Sequence, residues 1–157
     1  MFTLPSDREI TGSRVLDAPV DLVYWAYTDP EAIPQWWGPS RYTTTVEKLD
    51  VRPGGNWRFV QRAADGGVHA FSGVFREVVP QKRLVYTFNY EPMPGHESVE
   101  TVTFEPVEEN KTLVTDTMIF ANKEDRDGML RSGMEEGAAE SVERLIALLK
   151  NRQPAKR

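Results

Sequence analysis

In the segment RLVYTFNYE, Leu84, Tyr86, Phe88 and Tyr90 fall at every second position, so in an extended chain they share one face. Six further segments have the same β-branched and aromatic character: REITGSRVLD, YTTTVEKLDV, NWRFVQRA, VHAFSGVFREVV, SVETVTFEPV and KTLVTDTMIFA. Turn formers separate most of them, namely Pro53-Gly54-Gly55, Asp65-Gly66-Gly67, Pro80-Gln81-Lys82, the loop EPMPGHE and Glu108-Glu109-Asn110. Short links favour antiparallel pairing, so about seven strands in a meandering sheet are expected. Gly73, inside its strand, predicts a bulge or a close backbone approach.

Helical signals lie at two places. Pro19 suits a helix start, where its missing N–H costs nothing. The stretch Val20–Thr28 that follows is apolar nearly all round, as a helix covered on several sides would be. Asp29 and Pro30 then open a second short helical stretch as N-cap and first residue, and Pro34 ends it within a turn or two. Near the C-terminus Asn122 is an N-cap with Asp125 three residues on. From there Leu130, Met134, Gly137, Ser141, Leu145 and Leu148 form one stripe at helical spacing, and Pro154 with the basic tail stops the helix. The pattern predicts an α+β fold: a curved antiparallel sheet wrapped around one long C-terminal helix, with two short helices between the first and second strands. It is read as a single domain over residues 1–157 with its core at about 8–151.

The long helix is uneven. Its second half is bulky, with Val142, Leu145, Ile146, Leu148 and Leu149; its first half carries Met129, Gly133, Met134, Gly137, Ala138 and Ser141. A mid-helix glycine costs about 1 kcal/mol against alanine. Two readings explain it: the small residues leave room for a ligand that the methionines adapt to, or glycine lets the helix lie closer to the sheet. The adjacent Trp36 and Trp37 in EAIPQWWGPS raise a similar question. Neighbours diverge in a kink, so Trp36 is expected to pack on the first helix and Trp37 to face the cavity between helix and sheet.

Composition narrows the function classes. With 39% hydrophobic and 10% aromatic residues the chain has enough apolar material for a packed core. It has no cysteine, which removes disulfides, thiolate metal sites and cysteine nucleophiles. A net charge of −5, with no basic block before the tail, argues against nucleic acid as partner. No apolar run reaches the ~20 residues of a membrane span, and the polar start is unlike a signal peptide, so the expected location is cytoplasmic.

Catalytic signatures are sparse. No serine sits in a nucleophile elbow, two scattered histidines cannot assemble a metal site, and the paired glycines lie between strands rather than opening a helix. No cofactor or metal is expected. His96 belongs to a loop, whereas His69 shares strand parity with Phe71 and Phe75 and would point inward if theirs is the concave face. Glu100, Thr101, Thr115 and Asp116 lie in strands whose register sequence alone leaves open; a carboxylate among them turned into an apolar pocket would have a raised pKa and could act as acid or base.

The segments APVDLVYWAYTDPEAIPQWWGP, VRPGGNWRFV, SGVFREVVPQKRLVYTFNY and GMLRSGMEEGAAESVERLIALL together resemble the START-like, helix-grip superfamily (SRPBCC), typified by the major birch pollen allergen. Within it the chain is most similar to the branch homologous to the activator of the heat-shock chaperone ATPase. Trp36 and Trp37 match the Gln-Trp-Trp motif after the first helix; Pro53, Gly54, Gly55 and Trp57 match the turn into the third strand; Gly73, Pro80, Arg83 and Leu84 match the next hairpin. The resemblance implies a deep cavity between helix and sheet that takes lipids, sterols, polyketides or other apolar molecules. Some relatives are cyclases, aromatases or hydrolases. The branch name implies a chaperone partner, although it comes from a domain in larger eukaryotic proteins with an additional N-terminal domain. The leading expectation is binding of a small apolar or aromatic ligand lined by Trp37, Trp57, Phe59, His69 and Phe71, with Tyr86, Phe88, Met118, Met129 and Met134 completing the wall. The alternatives are a cyclase or hydrolase using the same cavity and a chaperone-interaction domain; a homodimer is among the expected partners, with oligomeric state left open by the sequence.

Overall fold

The alternating segments form one antiparallel sheet in the computed structural model, which describes residues 2–152. Its strands are β1 (Phe2–Thr3), β2 (Glu9–Leu16), β3 (Tyr42–Leu49), β4 (Asn56–Ala63), β5 (Val68–Val79), β6 (Arg83–Tyr90), β7 (Ser98–Glu108) and β8 (Lys111–Ile119). They lie in the order β1-β2-β8-β7-β6-β5-β4-β3. Strands β2 to β8 are the seven expected ones; β1 adds two residues at the edge, too short for any alternation to reveal.

That order dictates what the segment between β2 and β3 must do. β3 to β8 form a continuous meander, and β2 joins beside β8. The chain leaving β2 must therefore cross the sheet to reach β3 on the far edge. It does so as α1 (Val20–Thr28) followed by a 3-10 turn (Ile33–Gln35). Val23 and Ala26 of α1 are fully buried, and Tyr24 and Tyr27 meet the Phe104 ring of β7 edge-on. The Asp29 carboxylate accepts from the Glu31 and Ala32 amides at 2.8 and 3.3 Å, holding the tight turn in which Pro34 prevents a longer helix.

The C-terminal helical pattern breaks into two. α2 spans Lys123–Arg131 and α3 spans Met134–Arg152. Asn122 caps α2 as expected, its side chain accepting from the Asp125 amide at 2.7 Å. The break falls at Ser132-Gly133, where Gly133 takes a φ of +85°. Only glycine adopts that left-handed conformation without strain, and the Ser132 amide and hydroxyl both donate to the Met129 carbonyl of the last turn, at 3.1 and 2.6 Å. The expected single helix is therefore corrected: the stripe is continuous in sequence, but Gly133 beside it separates two helices. The stop expected at Pro154 lies outside the described residues.

The sheet curves around α3, whose Leu145, Leu148 and Leu149 enter the core with Leu16, Val23, Ile33, Leu84, Val102 and Val114. Gly73 is a close approach rather than a bulge. A Cβ there would stand 1.8 Å from the Thr87 carbonyl oxygen and 2.6 Å from Trp57 Nε1, the atom that donates to that same carbonyl at 3.2 Å. The absent side chain at Gly73 leaves the space that Trp57 Nε1 needs to reach that carbonyl.

Candidate functional site

Cross-strand pairing puts side chains of directly opposed residues on the same face. Tyr86 pairs with Glu100 and Glu100 with Met118, while Leu84 pairs with Val102 and Val102 with Asp116. Leu84 and Val102 are buried in the core, so all of these point to the concave side. The register that sequence left open is thereby fixed: Glu100 and Asp116 face inward, and Thr101 and Thr115 face out. On the other half of the sheet Phe59 pairs with Phe71, and Trp57 with Gly73, turning the aromatic rings of β4 and β5 to the same side.

Between this face and α3 lies a cavity of about 360 Å³, within the range of small-molecule sites. Three surfaces enclose it. Aromatic rings form the wall: Trp37 stands edge-on to both Phe59 and Phe71 with centroids 5.1 Å apart, and Trp57 packs on Phe59 at 4.8 Å. The first half of α3 forms the roof with Met134, Gly137, Ala138, Ser141 and Val142. The floor on the central strands carries Leu84, Tyr86, Glu100 and Asp116, with Tyr27 reaching in from α1.

The tryptophan pair divides as a kink allows. Trp36 is buried, its Nε1 donates to the Ala26 carbonyl of α1 at 2.8 Å, and its ring lies 4.8 Å from that of Tyr27. Trp37 turns toward the rings of β4 and β5. The loop holding them is stapled to α3: the Gly38 amide donates to Ser141 Oγ at 2.9 Å, Arg144 donates to the Gly38 carbonyl at 2.6 Å, and Glu140 accepts from both the amide and hydroxyl of Ser40. Gly38 has a φ of +83°, and a Cβ there would collide with the Gln61 amide group.

The acidic floor is the chemically distinctive feature. Asp116 Oδ1 is fully buried and has no hydrogen-bond partner. Burial holds the Asp116 carboxyl well above the usual carboxylate range, and the neighbouring Glu100, in hydrogen-bonding reach, raises it further. Burial also pushes up the phenols of Tyr27 and Tyr86, with the two acids adding to it. Opposite Asp116 on β2 stands Gly12, and the Phe2 ring of β1 fills the space its side chain would take. Two acids and two phenols thus share one apolar enclosure, an arrangement able to hold a proton or a hydrogen-bond donor.

Of the residues expected to line the cavity, Trp37, Trp57, Phe59, Phe71, Tyr86 and Met134 do so. Phe88 shares the concave face but stands behind Trp57 and Phe71, 5.8 and 5.7 Å from their ring centres. Met118 faces inward beyond the carboxyl pair, opposite Ile10. Met129 belongs to α2, across the Gly133 break from the roof. His69 pairs with Gln61 and lies beside the cavity rather than in its lining. Its ring nitrogens face two phenols, Tyr90 Oη at 2.6 Å from Nδ1 and Tyr42 Oη at 3.5 Å from Nε2. His96 is exposed and meets Asp125. Among the described residues no group of acids and histidines could hold a metal ion, and no helix is long and apolar enough to cross a membrane. Among the lining residues left out of the expected set are Glu100 and Asp116, which the sequence marked as strand carboxylates; only the register turns that into a position.

Residues 17–150 match the model of the family described as activator of Hsp90 ATPase homolog 1-like protein. A search of curated proteins found no match. Solved structures resemble the chain over nearly its whole length. A protein from Chromobacterium violaceum is 28% identical with a TM-score of 0.81, covering 92% of this chain and 99% of its own. One from Nitrosomonas europaea is 28% identical, also at 0.81, covering 94% and 97%. One from Rhodobacter sphaeroides, 23% identical with a TM-score of 0.90 over 98% of this chain and 100% of its own, shares the fold.

Proposed function

The chain belongs to the family of activator of Hsp90 ATPase homolog 1-like proteins and has their helix-grip fold, and from that premise we propose that it is a small-molecule binding domain whose ligand is mainly apolar or aromatic. The observation that carries this is the cavity of about 360 Å³ roofed by the small residues of α3 and walled by Trp37, Trp57, Phe59 and Phe71. A core built for stability alone would fill that volume, since unfilled space costs stability in proportion to its size. Aromatic faces supply contact area at low entropic cost, and the few polar groups orient what is bound.

The proposal is tested by titrating the protein with naphthalene derivatives while following tryptophan fluorescence, with native mass spectrometry to count bound molecules. The expected result is saturable quenching at one probe per chain, because Trp36, Trp37 and Trp57 all border the cavity. Quenching that never saturates, with no adduct in the mass spectrum, would sink the reading.

The carboxyl pair favours a second reading, in which the same cavity performs cyclase- or hydrolase-type chemistry. An Asp116 that keeps its proton above the usual range is suited to general acid catalysis at a buried substrate. Its test is a reaction that Asp116→Asn abolishes while probe binding persists. The family description also raises stimulation of a chaperone ATPase; an unchanged ATPase rate at large molar excess of this chain would remove that possibility.

A further inference from the structure

The cavity's polarity is one-sided. Its ionisable lining groups are Tyr27 on α1, Tyr86 on β6, Glu100 on β7 and Asp116 on β8, and α3 contributes none. No lysine, arginine or histidine lines it among the described residues. A carboxyl pair that serves only to tie strands together is met by donors from the protein. Here the Asp116 Oδ1 atom is fully buried without one. No donor can arrive from β2, because the residue opposite is Gly12 and the Phe2 ring occupies its side-chain space. The site has acceptors and no matching cation, beneath rings whose faces attract positive charge. Acidic oxygens at one end and aromatic faces around the rest are the two elements that recognise an ammonium group with an apolar body.

We propose that the ligand is an amine: an aromatic or cyclic apolar body that packs against Trp37, Trp57 and Phe59 and carries a protonated nitrogen that donates to Asp116 and Glu100. This rests on the cavity-binding reading and names the class of ligand for it. A neutral body of the same shape gains the wall contacts and at most one hydrogen bond to the floor, without the charge attraction. An acid is rejected, because a third carboxylate would enter a site that already disfavours the charge of two. The raised proton affinity of Asp116 points the same way: its charged form has no cation beside it, and an ammonium in the cavity would stabilise that form.

The test uses three probes with one body, 2-naphthylmethylamine, 2-naphthylmethanol and 2-naphthoate, titrated by calorimetry into the full chain at about pH 7.5, where the amine is charged. The amine should bind about tenfold tighter than the alcohol or better, and the naphthoate more weakly than either. In the Glu100→Gln/Asp116→Asn double variant the amine should fall to the level of the alcohol, whose own affinity stays within about threefold. Equal affinities for amine and alcohol, or strongest binding of naphthoate, would overturn the proposal while leaving the cavity reading standing. Failure of all three probes to bind would overturn both. Should the double variant not fold, the single variants Glu100→Gln and Asp116→Asn decide, since an amine affinity unchanged in both contradicts recognition by the carboxyl pair.

Discussion

The two halves of α3 face the same sheet and do opposite things. From Leu145 onward the helix is anchored: Leu145, Leu148 and Leu149 are buried among the core side chains, and the Arg152 guanidinium lies 4.6 Å from the centre of the Trp25 ring. Before Leu145 the inward positions are Met134, Gly137, Ala138, Ser141 and Val142, and they border open volume. One half buries apolar surface; the other forgoes burial to keep space above two acids. Stability and ligand capacity are thus separated along one helix, about one turn apart, and each can be changed without the other.

The largest effect should come from the anchored half. Leu145→Ala removes a side chain that is 1% exposed and is expected to destabilise the protein by about 2–5 kcal/mol, read by chemical denaturation. Met134→Ala, at the first residue of the same helix and beside a cavity that already exists, should cost well under half as much in the same assay. Equal losses at the two positions would erase the distinction between the halves.

This division was half legible in the sequence. Leu145 and Leu148 announce themselves by spacing, and the small residues of the first half stand out by composition. The break at Gly133 did not, because Ser132 and Gly133 interrupt neither the stripe nor the charge pattern, and a left-handed glycine looks from sequence like any helical one. The tryptophans followed from the prolines around them. Alternation placed His69 on the face of Phe71 and Phe75, yet its surroundings depend on Tyr42 and Tyr90, far along the chain on other strands. The acidic floor was least legible: Glu100 and Asp116 each lie in a strand where a one-residue slip would turn them to solvent, and the register is set by pairing across four strands.

The second expected effect concerns the floor that the open half of α3 covers. Asp116 is harder to ionise in the folded chain than in the unfolded one. As pH rises past the ordinary aspartate range the unfolded state therefore loses its proton first, the folded state binds more protons, and stability falls. Below that range both states are protonated and the penalty is absent. Asp116→Asn removes the titration and can donate to Glu100. It should gain roughly 1–3 kcal/mol at neutral pH, with the gain shrinking toward zero below about pH 4. Denaturation midpoints across that pH series check it. A variant that is less stable than the parent at neutral pH would mean the pair is an asset to the fold, and the contrast between the two halves would lose its floor.

A smaller effect should mark the staple between the open half and the tryptophan loop. Ser141 lines the cavity and its hydroxyl accepts from the Gly38 amide. Ser141→Ala should cost about 1 kcal/mol and change the environment of Trp37, which shares that loop. A shift of the tryptophan emission maximum with a modest loss of stability would tie the loop to α3; unchanged emission would place the burden on Arg144 and Glu140 instead.

The smallest expected change is the one that separates room from close packing. A glycine in the roof of the cavity could sit there because the sheet presses against it or because a ligand needs the volume. At Gly137 an added Cβ would find only Pro39 Cγ within 4 Å, at 3.9 Å, an ordinary contact distance, and no atom of the sheet. Close packing of helix on sheet does not require glycine here, and the helix would be better without it, so Gly137→Ala should raise stability by about 0.4–1 kcal/mol. The added methyl points into the volume that the ligand would occupy, and affinity for the naphthyl probes should fall as stability rises. Opposite signs in the two measurements are the mark of a position kept small for function. A drop in stability would instead mean that the helix leans on its glycine, and the open half of α3 would be open only by default.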